Sequence, residues 1–251
     1  MKMHMLDAGT IRMRKSIYLL ADKSELFDVP VSCALVRHEK GNVLFDTGCH
    51  PSVAENPQGR WGALAKMMTP VMPAGVNVLN SLKAIGVGPD DIDVVVCSHL
   101  HPDHCGCNQF FRKAQFYVHA HELTAAKTQG PAAGYLPQDW DHGLSTTEID
   151  GQYDVFGDGR AILVPLPGHT PGTMGLRLDL AKSGSFLLAS DAVSLLQNLE
   201  ENSVPKNTWN AELYLKSFAE IRAMREQGTT ILCGHDPTQW SLLRKGADAY
   251  D

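Results

Sequence analysis

Residues 98–104 read Ser-His-Leu-His-Pro-Asp-His and follow directly on the apolar run Ile92–Cys97. That adjacency constrains the fold more than any other feature of the chain. The run is short and nearly continuous in apolar residues, the pattern of a buried strand. Three histidines and a carboxylate gathered at the end of such a strand need partners, because each polar group buried without one costs on the order of a few kcal/mol. A metal ion satisfies them together, since neutral imidazole and carboxylate are ligands of zinc and its neighbours. His99 and His101 lie two apart and point the same way on an extended chain. Asp103 and His104 turn with the loop and can face a second site.

Three later positions repeat the arrangement. His169 sits in the Pro/Gly-rich loop Pro165–Gly172, behind a strand. Asp191 follows the apolar run Phe186–Ala189, and His235 follows Ile231–Cys233 and Gly234. Each is a polar ligand where rigid backbone can aim it into a shared cleft. One such residue alone says little; with the first cluster they make a seven-residue constellation.

The rest of the chain supplies a scaffold. Strands are expected at 31–36, 42–45, 92–97, 115–118, 161–164, 173–178, 185–189 and 229–232, with Lys40-Gly41-Asn42 as a turn. Helical spacing covers 76–85, closed by Gly86, and 211–224, with Gly228 as the stop. The alternation argues α/β layers, read as one domain over residues 1–251. Two irregular segments, 51–74 and 129–147, interrupt it. Apolar residues are 43% of the chain and charged residues 20%, enough for a sizeable core. The net charge of −6, with no basic stripe, argues against nucleic acid as a partner. No run approaches the roughly 18 apolar residues of a membrane helix, and the first residues show no signal-peptide pattern. A cytoplasmic location is expected. The six cysteines are scattered and read as free thiols. Cys105 and Cys107 read as small side chains packed against the sheet, rather than as a thiolate metal site or a redox pair.

The H-x-H-x-D-H run, the later His169, Asp191 and His235, and Phe45-Asp46-Thr47-Gly48 together resemble the metallo-β-lactamase superfamily over nearly the whole chain. Within it, three segments resemble the N-acyl-homoserine lactonases: Asn56–Gly62, Tyr153–Gly159 and Gly234-His-Asp-Pro-x-x-Trp240. The resemblance implies an αββα sandwich with two mixed sheets flanked by helices, and two divalent metal ions. One site would be made by His99, His101 and His169, the other by Asp103, His104 and His235, with Asp191 bridging. Asp46 would hydrogen-bond a ligand and fix its orientation. Zinc is the first expectation, with iron, cobalt or manganese compatible. The implied reaction is hydrolysis of a lactone, a small-molecule ester, by a water that the two ions share and acidify. Asp103 would deliver the proton to the leaving oxygen.

One departure matters. Those lactonases carry a tyrosine three residues after the bridging aspartate, thought to hydrogen-bond the lactone oxygens; here that position is Ser194. A water relaying from Ser194, Tyr135 swinging in, or a different substrate would each account for it. Another ester, thioester or phosphodiester therefore stays open as the substrate. A mononuclear-iron oxidoreductase of the superfamily is the further rival, but it needs only two His and one Asp. His119-Ala-His121 repeats the H-x-H spacing and reads as a structural pair. Met67, Met68, Met72, Trp61 and Trp140 are either core filler or lining for an acyl chain. The apolar insertion 51–74 could supply a homodimer contact.

Overall fold

Lys2–Arg14 (β1) is a 13-residue strand paired antiparallel with Leu26–His38 (β2) along almost its whole length. The sequence pattern foretells neither β1 nor the full extent of β2. The reason lies in β1 itself. Met3, His4, Met5 and Leu6 are all buried, so no polar/apolar alternation marks the strand. A bulge between Asp7 and Gly9 then shifts the register, with Gly9 at φ +136°.

The computed structural model describes residues 1–73 and 75–251. The remaining strands are Gly41–Phe45 (β3), Thr69–Pro70 (β4), Val94–Val96 (β5), Gln115–His119 (β6), Thr146–Ile149 (β7), Tyr153–Asp154 (β8), Ala161–Pro165 (β9), Met174–Leu180 (β10), Gly184–Ser190 (β11) and Thr230–Cys233 (β12). They form two mixed sheets, ordered β4-β1-β2-β3-β5-β6-β7 and β12-β11-β10-β9-β8. In the first, β3, β5, β6 and β7 run parallel; in the second, only β11 and β12 do.

The helices are Pro57–Trp61 (α1), Val78–Ala84 (α2), Pro102–Cys105 (α3), Ala120–Gln129 (α4), Pro137–Trp140 (α5), Leu196–Glu201 (α6), Ala211–Glu226 (α7) and Pro237–Leu242 (α8). Strand periodicity sorts side chains into layers. Val43 and Phe45 of β3 point into the core between the sheets, against Leu163, Leu176 and Leu188. Leu44 points outward to Val78 and Leu82 of α2 and to Ala125 of α4. On the far side, Leu187 and Ile231 pack on Tyr214, Phe218 and Ile221 of α7. Helix, sheet, sheet, helix is the expected αββα sandwich.

Helix α4 escapes the sequence reading because its buried face holds only Glu122, Ala125 and Ala126, too little apolar surface to show a period. The expected helix at 76–85 is two residues shorter at its start, where the Asn77 side chain accepts the Asn80 N–H and caps it. The segment 51–74 folds into short helices and β4, with Trp61 and Met72 buried in the core beneath them; Ala74 lies outside the described residues. Among the described residues no helix is long and apolar enough to cross a membrane.

Candidate metal centre

The seven residues arrive from both sheets. His99 and His101 follow β5, and Asp103 and His104 occupy α3, whose first turn Pro102 pre-shapes. His169 follows β9, Asp191 follows β11 directly, and His235 follows β12. All lie at the C-terminal ends of their strands, where the two sheets meet. Gly234 is required by close approach: a Cβ there would stand 2.6 Å from Asp191 Oδ1.

Donor atoms converge in three overlapping groups, each with all its atoms within 4.8 Å: His99/His101/His169, His99/His104/Asp191 and Asp103/His104/His235. Asp191 divides its oxygens between them. Oδ2 is 3.3 Å from His169 Nε2, while Oδ1 is 3.5 Å from His104 Nε2 and 3.0 Å from His235 Nε2. Asp103 Oδ2 stands 3.6 Å from His104 Nε2 and 3.5 Å from His235 Nε2.

The outward ring nitrogens are anchored. His99 Nδ1 meets Ser98 Oγ at 3.0 Å, His101 Nε2 the Ala133 carbonyl at 3.1 Å, His104 Nδ1 Asp46 Oδ2 at 2.8 Å and His235 Nδ1 the Pro30 carbonyl at 2.9 Å. Anchoring of that kind sets the tautomer and leaves the other nitrogen facing inward. The inward atoms His99 Nε2, His104 Nε2 and Asp191 Oδ1 are buried with no hydrogen-bond partner, as is His169 Nδ1 on the far side of its ring. The 3.0 Å approach of Asp191 Oδ1 to His235 is thus close in distance but out of line for a hydrogen bond. Orphaned lone pairs in a sealed centre are costly unless a cation takes them. The donor set fits divalent ions.

Residues 26–235 match the sequence model of the metallo-β-lactamase superfamily. The chain belongs to this superfamily. The N-acyl homoserine lactonase AttM of Azorhizobium caulinodans is 32% identical, over 100% of this chain and 98% of that protein. The lactonase AiiB of Agrobacterium fabrum is 31% identical, over 99% and 98%. Among solved structures, an N-acyl homoserine lactone hydrolase with N-hexanoyl-L-homoserine at its catalytic metal centre superposes with a TM-score of 0.90, at 28% identity over 99% of this chain and 98% of that one.

The superfamily's His/Asp clusters suit two metal ions, and the electrostatics here agree. Burial, reinforced by His104, His101 and His169, drives the His99 imidazole well below its ordinary range. Burial likewise takes His169 to about 3, against the pull of Asp191. Both are neutral imidazoles, the form that ligates. At His104 burial works downward, but Asp103, Asp191 and Asp46 outweigh it and hold the ring up to about 10. His235 is raised for the same reason, burial being overridden by Asp191 and Asp103. Asp191 is held well below the carboxylate range, burial being outweighed by His235, His169 and His104. The carboxylates draw positive charge into the centre.

Asp46 is in the expected place and does more than expected. It accepts from His104 Nδ1, from the Ser98 N–H at 2.7 Å and from Ser98 Oγ at 2.8 Å. Its φ of +60° and that of Ser190, +48°, are strained for residues with a Cβ, and the network they share over-determines both. Glu122, absent from the sequence reading, is fully buried and ties two ligand loops: Oε1 accepts the Leu100 N–H at 3.0 Å and Oε2 the Gly172 N–H at 3.1 Å. A buried glutamate in a weakly patterned helix carries no signal in sequence.

A cavity of about 370 Å³ opens beside His101 and His169. Ile17, Leu64, Met67, Met68, Tyr135 and Trp209 wall it. Met67 and Met68 are therefore at the lining, while Trp61 and Met72 are core and Trp140 borders a separate hollow. The Tyr135 ring is 5.3 Å from His101, with its hydroxyl toward Glu122 and Thr170. Ser194 requires a correction. It does not reach the cavity: it is 0% exposed, its backbone carbonyl accepts the His235 N–H at 2.9 Å, and its hydroxyl is sealed without a partner. Tyr18, unmarked in the sequence, packs edge-on to His235 with ring centroids 6.3 Å apart. Burial, then Asp191, Asp103 and Tyr214, push its phenol well above the ordinary range, so it is a neutral O–H. Cys105 and Cys107 are free, buried thiols outside the three donor groups, and burial raises both. His119 Nδ1 accepts the His121 N–H and caps α4.

Proposed function

We propose that this chain is a dinuclear metal-dependent lactonase that opens N-acyl-homoserine lactones. One observation carries the reading: Asp191 turns one oxygen to His169 and the other to His104 and His235, between two donor trios, in a fold that superposes on a hydrolase holding N-hexanoyl-L-homoserine at its metal centre. His99, His101 and His169 would hold one divalent ion and Asp103, His104 and His235 the second, with Asp191 serving both trios. When bound, the ions acidify a water and polarise the ester carbonyl. Zinc is our first assignment; iron, cobalt and manganese suit the same nitrogen and oxygen donors.

The side chains do the rest. Asp46, Ser98, Ala133 and Pro30 hold four imidazoles in register. Water oxygen bonds to the carbonyl carbon, the ring C–O bond breaks, and Asp103 carries the water's proton to the departing ring oxygen. The apolar wall of Ile17, Leu64, Met67, Met68 and Trp209 takes the acyl chain, and Tyr135 borders it beside His101.

The test is turnover by the metal-loaded protein of lactones of varied acyl length, thioesters and phosphodiesters, with metal counted per chain. Lactones should be preferred, two ions should be found, and chelation should abolish activity. A thioester or phosphodiester preference, full activity after chelation, or a single iron per chain would each overturn the reading.

A further inference from the structure

Opening an ester ring builds negative charge first on the carbonyl oxygen and then on the leaving oxygen. A neutral O–H donor aimed at that charge is worth most where water is excluded. The centre itself holds carboxylates and imidazoles, so a hydroxyl packed against it is the donor to look for. Most candidates are committed elsewhere. Thr170 and Thr173 bond each other at 2.7 Å. Ser98 and Ser190 are spent on each other and on Asp46. The Tyr214 hydroxyl donates to the Asp191 carbonyl at 3.0 Å. Ser194 is sealed in the wall, and Tyr135 borders the cavity beside His101, a member of the first donor trio.

Tyr18 remains. Resting on the lactonase reading, we infer that Tyr18 is a catalytic residue whose phenol O–H meets the substrate oxygen on which charge develops. Its ring is fixed between Phe27, at 5.6 Å edge-on, and the candidate ligand His235, at 6.3 Å. At 3% exposure it is as buried as Asp191 and Asp103 themselves. Among the described residues its hydroxyl forms no hydrogen bond, yet the oxygen is not one of the sealed, partnerless atoms of the interior. The backbone is pinned on both sides: the Tyr18 carbonyl accepts Asn198 Nδ2 at 2.7 Å, and the Ile17 carbonyl accepts the Lys206 N–H at 2.7 Å. Ile17, the residue before it, lines the cavity. A rigid, uncommitted donor thus packs against His235 of the second donor trio, one residue along the chain from the cavity wall.

Tyr18→Phe removes one oxygen and keeps the ring packing. Four readouts are taken on the zinc-loaded native protein and the variant: kcat and KM for N-hexanoyl-homoserine lactone, calorimetric affinity for N-hexanoyl-homoserine, zinc per chain, and thermal midpoint. We expect kcat to fall about 10²–10³-fold with KM little changed, product affinity to fall about tenfold, and zinc content and midpoint to stay the same. Unchanged kcat and product affinity would overturn the assignment. So would a loss explained by lost zinc, or a kcat loss that appears in Tyr135→Phe and not in Tyr18→Phe. If the native protein turns over no lactone, the lactonase reading falls alone and the calorimetric arm still decides on Tyr18. A native protein that binds neither lactone nor product overturns both.

Discussion

Glu122 is the residue whose removal most directly tests how the centre is held. Its two carboxylate oxygens accept backbone N–H groups from Leu100, between His99 and His101, and from Gly172, in the loop of His169. Three of the seven candidate ligands are thereby fixed to one side chain of α4. Both N–H groups are buried, so neither finds water when the acceptor is lost. Glu122→Gln keeps the shape but turns one acceptor into an NH₂ group facing an N–H. One hydrogen bond is lost and one buried donor is orphaned, which costs about 1–3 kcal/mol. Glu122→Ala orphans both, for about 2–6 kcal/mol, a large part of the 5–15 kcal/mol that typically separates folded from unfolded chains. The assay is urea unfolding of chelated and zinc-loaded protein, with zinc affinity measured by competition against a chromophoric chelator. The Gln variant should lose stability in both forms and weaken zinc about 10–100-fold, because the loops carrying His99, His101 and His169 are no longer held in register. Unfolding midpoints and zinc affinity equal to the native protein's would refute the clamp. A stability loss with native zinc affinity would refute its role in aiming the ligands.

Asp46→Asn replaces an oxygen that accepts from His104 Nδ1 or from Ser98, and should weaken metal about 10–100-fold in the same competition assay; native affinity would show that His104 orients itself. Metal affinity should rise with pH across the neutral range. His104, held up to about 10 by Asp103, Asp191 and Asp46 against burial, keeps its proton at neutral pH, and an incoming cation must displace it. Each proton released makes binding about tenfold tighter per pH unit below that value, so pH-independent isothermal titrations would contradict the sign. Met68→Ala shortens the apolar wall of the cavity; it should raise KM for long-chain acyl lactones more than for short ones, by about 0.8 kcal/mol for each methylene left in water, and an effect independent of chain length would place the acyl group elsewhere.

What the sequence discloses depends on how local each feature is. His99, His101, Asp103 and His104 are legible because the strand that precedes them is apolar and the cluster is contiguous. His169, Asp191 and His235 are legible because each follows its own apolar run. The strands of the sheet interiors show themselves by hydrophobicity. β1 does not, since it is covered on both faces and its bulge at Gly9 breaks the period. α4 does not either, because its burial is spent on Glu122 and two alanines.

The residues missed share one property: each acts across the fold on a group distant in sequence. Glu122 is 22 residues from Leu100 and 50 from Gly172. Tyr18 lies in the loop between β1 and β2 and packs on His235 from the opposite end of the chain. Ser194 fails in the other direction. Its place in the lactonase pattern, where a tyrosine follows the bridging aspartate by three residues, suggests a substrate contact, but the chain turns there so that its carbonyl holds the His235 N–H and its side chain faces inward. Spacing along the chain reports which side chains share an element; it does not report which wall of the cleft a loop returns to. Candidate ligands are therefore legible when their motif ends a strand. The hydroxyl that completes the chemistry is legible only once both walls are assembled, and Tyr18→Phe tests that hydroxyl, to which neither the spacing of the ligands nor the lactonase pattern at Ser194 points.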